Sequence, residues 1–579
     1  MLKELHIILN CIKSALGKAL LLAVCAIIVL VGGSCGKNSV FSPAVTTAVI
    51  TAAATQGDSD LGTGELYINF SSSDSLNPFQ AQTLGNQQLS SLIFDPLVKL
   101  DPSLNPELKL AEKIESNGKN VTITLRNAVF SDGEDVTAED VVYSLKCAKS
   151  ASNKLYSDQL KIITGYNADS YRTVSLTLSH ADPLIANVLD FPIIKQGSTN
   201  RKNDDDKSLP PLGCGRYVYS DNSGTYSLSG NKNYYGEIPK NKIILNNTPD
   251  NEALQYSIKA GEVDIYYSGV MTGNLLSMSG KTGLVKQPNI VFLGTNQFGT
   301  LKNKYLRRAV SAAIDRKDIC TTAYYNYSEP AKSLYSGNMS AVKENAALFF
   351  ETADSKSVDD FMKKAGYKNK DSDGRYVSSG GSHVTLRLVY NSDNSYQTNA
   401  AKLLQKQIEA QGINLTLDGR GYNNYINCVL KYDYDLYLGE LKLNKNFDYS
   451  SMMSGKVVAN QTLAATTTTA PATSPEDTWT YPTDEDGDPN YAVTRPTFTT
   501  VKTTVNPAVN NRDMAKEYSN YLAGKTTTDK FMQLFAEEMP FVPIAFRLGV
   551  VSYNSDLSPA AVSTVSDAYY NIEYLTLKK

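Results

Sequence analysis

One stretch, from Phe130 to Leu145, constrains the fold of this chain more than any other part of it. Just upstream, apolar and polar residues alternate with the period of a half-buried strand, the apolar ones being Val121, Ile123 and Leu125. Thr137 and Asp140 then have the spacing of a capping box, in which side chains bind the first unpaired amides of a helix. The sequence therefore predicts a strand, a turn and a helix that begins at Ala138.

The N-terminus has the features of a targeting segment. Lysines precede an apolar run from Ala19 to Val31, which at 13 residues is shorter than the roughly 20 that span a bilayer. Small residues then lead to Cys35, a pattern that resembles a bacterial lipobox, except that Gly32 stands where leucine is usual. The resemblance implies a signal peptide over 1–34, cleavage before Cys35 and a diacylglycerol anchor on its sulfur. Ordinary secretion is the alternative.

The segment after Cys35 predicts a tether rather than a core. It is rich in alanine, threonine, serine and glycine and has no hydrophobic period. We expect the folded body to begin near Glu65, where Leu66, Ile68 and Phe70 alternate with polar neighbours.

Charge and composition exclude several classes of protein. A net charge of -3 without a dense basic cluster argues against binding to nucleic acid. Beyond Cys35 the cysteines are too widely spaced for a zinc motif, and whether they pair stays open; they are Cys147, Cys214, Cys320 and Cys428. The body has only two histidines, His180 and His383. We therefore expect no metal site and no cofactor.

The run TITLRNAVFSDGEDVTAEDVVYSL resembles the signature of family 5 extracellular solute-binding proteins, the peptide, dipeptide and nickel-binding class that serves ABC importers. The matching residues are Leu125, Arg126, Phe130, Asp132, Gly133, Thr137, Ala138, Asp140 and Val141. Further segments resemble the same family, from Leu76 to Val98, from Gly213 to Ile265 and from Asn296 to Arg316. The likeness extends over most of the chain from Glu65 onward.

The resemblance implies an α/β fold of the periplasmic-binding-protein-like type II, with two lobes joined by a hinge and an extra subdomain in the first lobe. The predicted units are a signal peptide at 1–34, a tether at 35–64, lobe I at 65–98 with 208–292 and 536–579, subdomain II at 99–207, and lobe II at 293–535. After residue 383 we expect a strand, helix, strand and helix in lobe II, with the first helix from Gln397 to Gly412.

Six residues are predicted to contact a ligand. Gln82 and Thr83 lie where family members face the cleft, and a helix beginning there would offer N–H groups to a carbonyl or carboxylate, although a plain connecting loop is the alternative. Peptide-binding relatives carry Gly-Trp and then an acidic residue, whereas this chain has Glu440 after Gly439. Glu440 is the candidate partner of a peptide ammonium, with Asp448 as an alternative. An ordinary surface carboxylate is the other interpretation of Glu440. The remaining candidates are Asn296, Arg420 and Tyr422.

The composition changes from 457 to 505, which is rich in threonine and proline and contains Trp479. Such a segment is typical of a long mobile surface insertion. The alternative is a lid over the cleft that carries Trp479.

No enzyme motif survives inspection, because no nucleophile, base and orienting group occur together. The resemblance therefore implies a lipid-anchored, monomeric, extracytoplasmic binding subunit that captures peptides or other small solutes and delivers them to the permease subunits of an ABC importer. Two alternatives within the family are open, oligosaccharide binding, which the 36 tyrosines favour, and peptide sensing without transport. A secreted hydrolase is a third, from a different class.

Overall fold

A computed structural model of the chain describes residues 60–270, 280–331, 333–335, 348–453, 457–462, 466–471, 492–497, 500–505, 512–523 and 525–578. The predicted signal peptide, Cys35, most of the tether and Trp479 lie outside these residues. Within them, no helix is both long and apolar enough to cross a membrane.

Strands dominate the first half of the chain. They are β1 (Glu65–Phe70), β2 (Val98–Leu100), β3 (Pro106–Leu108), β4 (Ala111–Asn117), β5 (Asn120–Leu125), β6 (Ile163–Ser170), β7 (Thr173–Leu178), β8 (Tyr217–Asn222), β9 (Thr225–Gly230), β10 (Lys242–Asn247), β11 (Ile265–Val270) and β12 (Gly280–Thr295). The α-helices between them are α1 (Leu84–Ile93), α2 (Ala138–Lys149) and α3 (Asn251–Ala260).

Helices and strands alternate in the second half. The helices are α4 (Lys304–Ala312), α5 (Arg316–Asp318), α6 (Ser355–Lys364), α7 (Ser395–Ala410), α8 (Tyr422–Leu430), α9 (Ser450–Met453), α10 (Arg512–Leu522) and α11 (Thr528–Glu538). The strands are β13 (Ser328–Pro330), β14 (Asn369–Lys370), β15 (Tyr376–Val377), β16 (Thr385–Asn391), β17 (Asn414–Arg420), β18 (Leu436–Lys442), β19 (Val457–Thr462), β20 (Thr466–Pro471), β21 (Ala492–Thr497), β22 (Thr500–Val505), β23 (Phe541–Asn554), β24 (Leu557–Ser558) and β25 (Thr576–Leu577).

The signature stretch folds as the sequence predicts. Helix α2 begins at Ala138, and both halves of the capping box are present between Thr137 and Asp140. Strand β5 buries its alternate apolar residues in a four-stranded antiparallel sheet of order β4-β5-β7-β6. The helix buries Val141 and Leu145, and Phe130 between strand and helix is fully buried. The signature residues therefore build the core of the subdomain.

Two hydrophobic cores define the two lobes, although Leu100 and Leu104 of the predicted first lobe pack into the second of them. The first core, which we call that of lobe I, joins the β4-β5-β7-β6 sheet to a second sheet of order β1-β10-β9-β8 and to the C-terminal residues around Tyr569. The second core, that of lobe II, contains α4, α6, α7 and α11 and the strands β16 to β18. This two-lobed α/β arrangement is the one that the sequence predicts; the domain boundaries given above stay a prediction.

Strands β12 and β23 run through both cores. They pair antiparallel from Gly280 with Asn554 to Gly294 with Phe541, within a sheet of order β11-β23-β12-β18-β16-β17. Their register shifts between Lys286 and Ile290. Val285 belongs to the first core and Ile290 to the second, so the irregular segment lies where the lobes meet.

The predicted order of strand, helix, strand and helix after residue 383 is confirmed by β16, α7, β17 and α8, with β16 parallel to both β17 and β18. The predicted helix limits shift by two residues, because Asn394 caps α7 by accepting a hydrogen bond from the Gln397 amide. The threonine-rich insertion, expected as a mobile surface segment, contains two antiparallel strand pairs, β19 with β22 and β20 with β21. Threonine is β-branched and favours strands, so a threonine-rich composition is compatible with strand pairs as well as with an irregular segment.

A buried ionic cluster ties the C-terminal residues to lobe I. The Asp567 carboxylate, fully buried, accepts hydrogen bonds from Arg216 at 2.7 Å, Lys99 at 3.0 Å and Ser91 at 2.7 Å. Burial alone would raise the pKa of Asp567, but the charges of Arg216 and Lys99 outweigh it and lower the pKa to about 2. Arg216 also pairs with Glu573 at 2.6 Å.

We expect Asp567→Asn to lower the free energy of unfolding at pH 7 by about 3 kcal/mol, because Arg216 and Lys99 lose the buried carboxylate that they share. Among the described acidic residues they keep only Glu573 and Asp95, respectively. The folded-state pKa is depressed, so the carboxylate stabilises above its ordinary pKa and the benefit is lost as pH falls through the folded value. The difference between mutant and parent should therefore shrink between pH 4 and 2, roughly. Urea unfolding across that range measures it, with the exposed Asp556→Asn as control; a difference independent of pH would contradict the assignment.

Candidate functional site

Gln82 and Thr83, the lobe I candidates, lie directly before α1. Thr83 is the N-cap residue of that helix. Its amide and hydroxyl both donate to the Asp74 carboxylate at 2.7 Å, and the Gln82 amide donates to the same group at 2.9 Å. We expected a helix to begin here, and it does, but the N–H groups of these two residues are already occupied by Asp74. The Asp74 carboxylate, from the loop before the helix, therefore already binds the amides that a ligand anion would need.

Glu440, the leading candidate on lobe II, lies in β18 and has a resident counter-ion. Its carboxylate accepts hydrogen bonds from Arg547 of β23 at 3.2 and 3.3 Å and from Asn289 at 3.0 Å. The Arg547 side chain is 1% exposed, and its guanidinium carbon lies 4.9 Å and 4.8 Å from the ring centroids of Tyr324 and Tyr396. Glu440 is therefore part of an internal ion pair next to the place where the lobes meet.

The other three predicted residues make local contacts. Asn296 donates to the carbonyl oxygens of Tyr432 and Tyr434 at 3.0 and 2.9 Å. Arg420 binds Asp418 at 2.9 Å, and the Tyr422 amide at the start of α8 donates to Asp393 at 2.8 Å. In the described contacts, Gln82 and Thr83 do not meet the four lobe II candidates. Their role in binding a ligand stays a prediction.

The lobes contact each other at a polar seam that the sequence did not reveal. We use this name for Asp182, Asn187 and Asp190 of lobe I together with Lys445 and Asn446 of lobe II. Lys445 forms an ion pair with Asp190, whose side chain is 1% exposed. Asp190 also accepts hydrogen bonds from Gln159 at 2.9 Å and Ser566 at 2.7 Å.

Two amide side chains complete the seam. Asn446 donates to the Asp182 carboxylate at 2.6 Å, and Asn187 donates to the Lys445 carbonyl oxygen at 3.1 Å. The partners lie between 255 and 264 residues apart in the chain. The only local signal is the polar run from Asn444 to Asn446, which follows β18 after one buried leucine. That signal indicates a polar surface on lobe II but does not indicate which residues of lobe I contact it.

A small pocket lies behind the seam. It is lined by His180, Asp182, Pro183, Leu184, Tyr335, Asn446, Phe447, Asp448, Tyr518, Tyr521 and Leu522, and its free volume is about 10 Å³. Burial raises the pKa of Asp182, and the nearby charge of Asp448 adds to the rise. Asp448 in turn accepts hydrogen bonds from the Ser450 amide at 2.8 Å and the Tyr518 hydroxyl at 3.2 Å. The pocket thus contains one carboxylate from each lobe.

A larger groove opens from this pocket toward solvent. It has a volume of about 370 Å³ and is lined by Gly118, Lys119, His180, Ala181, Ser450, Ser519, Leu522 and Ala523. His180 and Leu522 line both spaces, so the groove and the pocket adjoin. Grooves of roughly 300–1,000 Å³ hold small organic ligands. The arrangement can therefore accept a small solute between the lobes.

Among the described residues, no three histidine, cysteine or acidic side chains are grouped so as to hold a metal ion. The four cysteines Cys147, Cys214, Cys320 and Cys428 are free thiols, which resolves the pairing that the sequence left open.

Comparison with known proteins gives the family. Residues 104–462 match the model of the bacterial extracellular solute-binding proteins, family 5. The oligopeptide-binding protein OppA of Bacillus subtilis is 24% identical over 399 residues, which are 61% of this chain and 71% of that protein. AppA of the same organism is 25% identical over 56% of this chain and 63% of its own length.

Solved structures agree on the fold. An ABC transporter substrate-binding protein from Sinorhizobium meliloti has a TM-score of 0.60 at 17% identity, covering 90% of this chain and all of that one. The unliganded open form of the murein tripeptide-binding protein MppA has a TM-score of 0.59 at 18% identity. The match covers 86% of this chain and 94% of that one. The chain has the two-lobed periplasmic-binding-protein-like fold and belongs to family 5 of the bacterial extracellular solute-binding proteins.

Proposed function

We propose that this protein is the extracytoplasmic binding subunit of an ABC importer and that it captures peptides between its lobes. The observation that carries the proposal is the adjoining pocket and groove, which take residues from two separately cored lobes. A ligand held there contacts both lobes at once. The oligopeptide-binding names of OppA and AppA support peptides as the ligand class.

Closure of the lobes is the proposed working step. The seam contacts, Lys445 with Asp190 and Asn446 with Asp182, exist only while the lobes are together. A ligand that binds the closed form better than the open form shifts the population toward closure. The closed form is then the one that the permease subunits would recognise. In this mechanism no covalent bond of the ligand changes, in keeping with a family of solute-binding proteins that are not enzymes.

The six residues predicted from the sequence are proposed to line the ligand's path on the two walls of the cleft. Gln82 and Thr83 belong to the lobe I wall, and Asn296, Arg420, Tyr422 and Glu440 to the lobe II wall. Because Glu440 already pairs with Arg547, we propose that it shapes its wall through that pair.

The location of the protein is part of the proposal. Family members act outside the cytoplasm, and we propose that Cys35 carries a diacylglycerol anchor that holds this one, as a monomer, at the outer face of the membrane. A mature chain that begins at Cys35 and carries the mass of acyl chains in intact-protein mass spectrometry is the expected result. The Cys35→Ser variant should lose that mass and the anchoring, and secretion of an unmodified parent protein would contradict the anchor.

Native mass spectrometry of the body from Gly36 onward tests the ligand class. We expect a ladder of non-covalent adducts with peptide masses when the protein is purified without denaturation. Calorimetry with the same peptides should then show binding that saturates at one site. Adducts spaced by hexose masses, with no response to peptides, would instead identify an oligosaccharide-binding protein.

We expect Lys445→Met to weaken peptide binding about ten-fold. The Lys445–Asp190 ion pair forms only when the lobes close, so its loss destabilises the closed form and leaves the open form unchanged. Calorimetry measures the affinity, and small-angle X-ray scattering measures the fraction of closed molecules at saturating ligand. The exposed Lys431→Met is the matched control, which removes a lobe II lysine away from the seam. Equal affinities for both variants would show that the seam does not contribute to closure.

We expect Glu440→Gln to lower the free energy of unfolding by about 2 kcal/mol, because Arg547 is buried and loses its carboxylate. Peptide affinity should change less than about two-fold, since the charge of Glu440 is already neutralised. Urea unfolding and calorimetry measure the two effects, with the exposed Glu409→Gln as control. A large loss of affinity for free-amine peptides at unchanged stability would place Glu440 on the ligand instead.

A further inference from the structure

Among the described residues that line it, the pocket behind the seam has two carboxylates and no lysine or arginine to neutralise them. Asp182 comes from lobe I and Asp448 from lobe II, whereas the seam lysine, Lys445, pairs with Asp190. Asn446 lines the same pocket and is 6% exposed, and its amide oxygen has no hydrogen-bond partner in the described part of the chain. Buried acceptors without a donor are unfavourable. The pocket therefore has a place for a positively charged donor.

His180 lines both the pocket and the adjoining groove. Its Nδ1 lies 3.1 Å from the hydroxyl of the preceding residue, Ser179. Among the described residues, the charged side chains that line the pocket are the carboxylates of Asp182 and Asp448. Their mutual repulsion is relieved when a cation lies between them.

The aromatic walls of the pocket also suit a cation. Tyr335, Tyr518 and Tyr521 line it, and their hydroxyl groups are engaged within the protein. Tyr335 donates to Tyr521 at 2.9 Å, and Tyr518 donates to Asp448 while accepting from the Tyr449 amide at 2.7 Å. The walls thus offer ring surface and not the N–H donors that a peptide carbonyl would need. The carbonyl or carboxylate oxygens of a peptide terminus would find no hydrogen-bond donor on these walls.

The size of the space selects among cations. A free volume of about 10 Å³ is enough for one water-sized group. The ammonium of lysine is a compact point charge on an unbranched apolar stem, whereas the guanidinium of arginine is a larger planar fork. Leu522 lines both spaces and Ala523 the adjoining groove, so an apolar stem has a path from groove to pocket.

We propose that this pocket binds the side-chain ammonium of a lysine in the captured peptide, between Asp182 and Asp448, with the peptide backbone in the adjoining groove. The inference rests on the proposed peptide-binding function and adds a preference for lysine-containing peptides. Because each lobe supplies one carboxylate, the ammonium is fully enclosed only when the lobes are closed.

Calorimetry on the mature body with a matched set of peptides tests the proposal. The set is Ala-Lys-Ala, Ala-norleucine-Ala, which keeps the stem and removes the charge, Ala-Arg-Ala, and Nα-acetyl-Ala-Lys-Ala. We expect the lysine peptide to bind about ten-fold more tightly than the norleucine and arginine peptides, and acetylation to preserve that advantage. Equal affinity for lysine and norleucine would overturn the inference, and so would an advantage that disappears on acetylation, since the charge would then belong to the amino terminus.

Asp182→Asn provides the matching variant. The remaining oxygen can still accept from the Leu184 amide, which donates to Oδ1 at 2.8 Å. The new NH2 takes the place of the oxygen that accepts from Asn446. It can donate to the Asn446 amide oxygen, which has no other partner among the described residues, once the Asn446 amide rotates, so the fold and the seam should persist. The lysine advantage should fall to about two-fold while norleucine affinity changes little. Asp205→Asn, on an exposed loop of lobe I, is the control, and urea unfolding verifies the fold of both. A lysine advantage undiminished in Asp182→Asn would contradict the assignment. If none of the peptides binds, the proposed peptide function fails, and the inference with it.

Discussion

The pairing of β12 with β23 is the constraint on which the rest of the structure depends. Each strand contributes to both hydrophobic cores, with Val285 and Val551 in lobe I and Ile290 and Phe546 in lobe II. Rigid cores therefore hold both ends of the ladder, and the register shift after Lys286 falls between them. An irregular ladder has fewer backbone hydrogen bonds to resist bending. The position suits a hinge, because the irregular segment lies between the residues that each core holds.

The chemistry of the seam follows from that hinge. Leu100 and Leu104 of lobe I pack into the lobe II core, so the lobes share a small apolar contact. A large one would make closure irreversible. Polar contacts such as Asn446 with Asp182 lose little on opening, since water replaces the lost partner. Asp190 keeps Gln159 and Ser566 when Lys445 leaves, so its charge stays partly satisfied. The seam can therefore bias closure without locking it.

Local chemistry explains what the sequence could predict. The capping box at Thr137, the alternation of β5 and the strand and helix order of lobe II are set by residues a few positions apart. The candidate site depends on partners that no local pattern specifies. Asp74 occupies the amides of Gln82 and Thr83, and Arg547 neutralises Glu440 from 107 residues away. Chain topology brings such pairs together, so a sequence pattern can name one partner without naming the other.

The tyrosines illustrate the same limit and its consequence for recognition. Their number was the reason to consider an oligosaccharide ligand. Tyr217, Tyr324 and Tyr449 are, however, fully buried core residues, so abundance alone does not favour a sugar. Those that line the pocket are held by hydrogen bonds within lobe II, as Tyr518 is by Asp448. That wall is therefore preformed, and Asp182 is the charged group that arrives with lobe I. Charge recognition and lobe closure are then one event, because neither carboxylate alone encloses the cation.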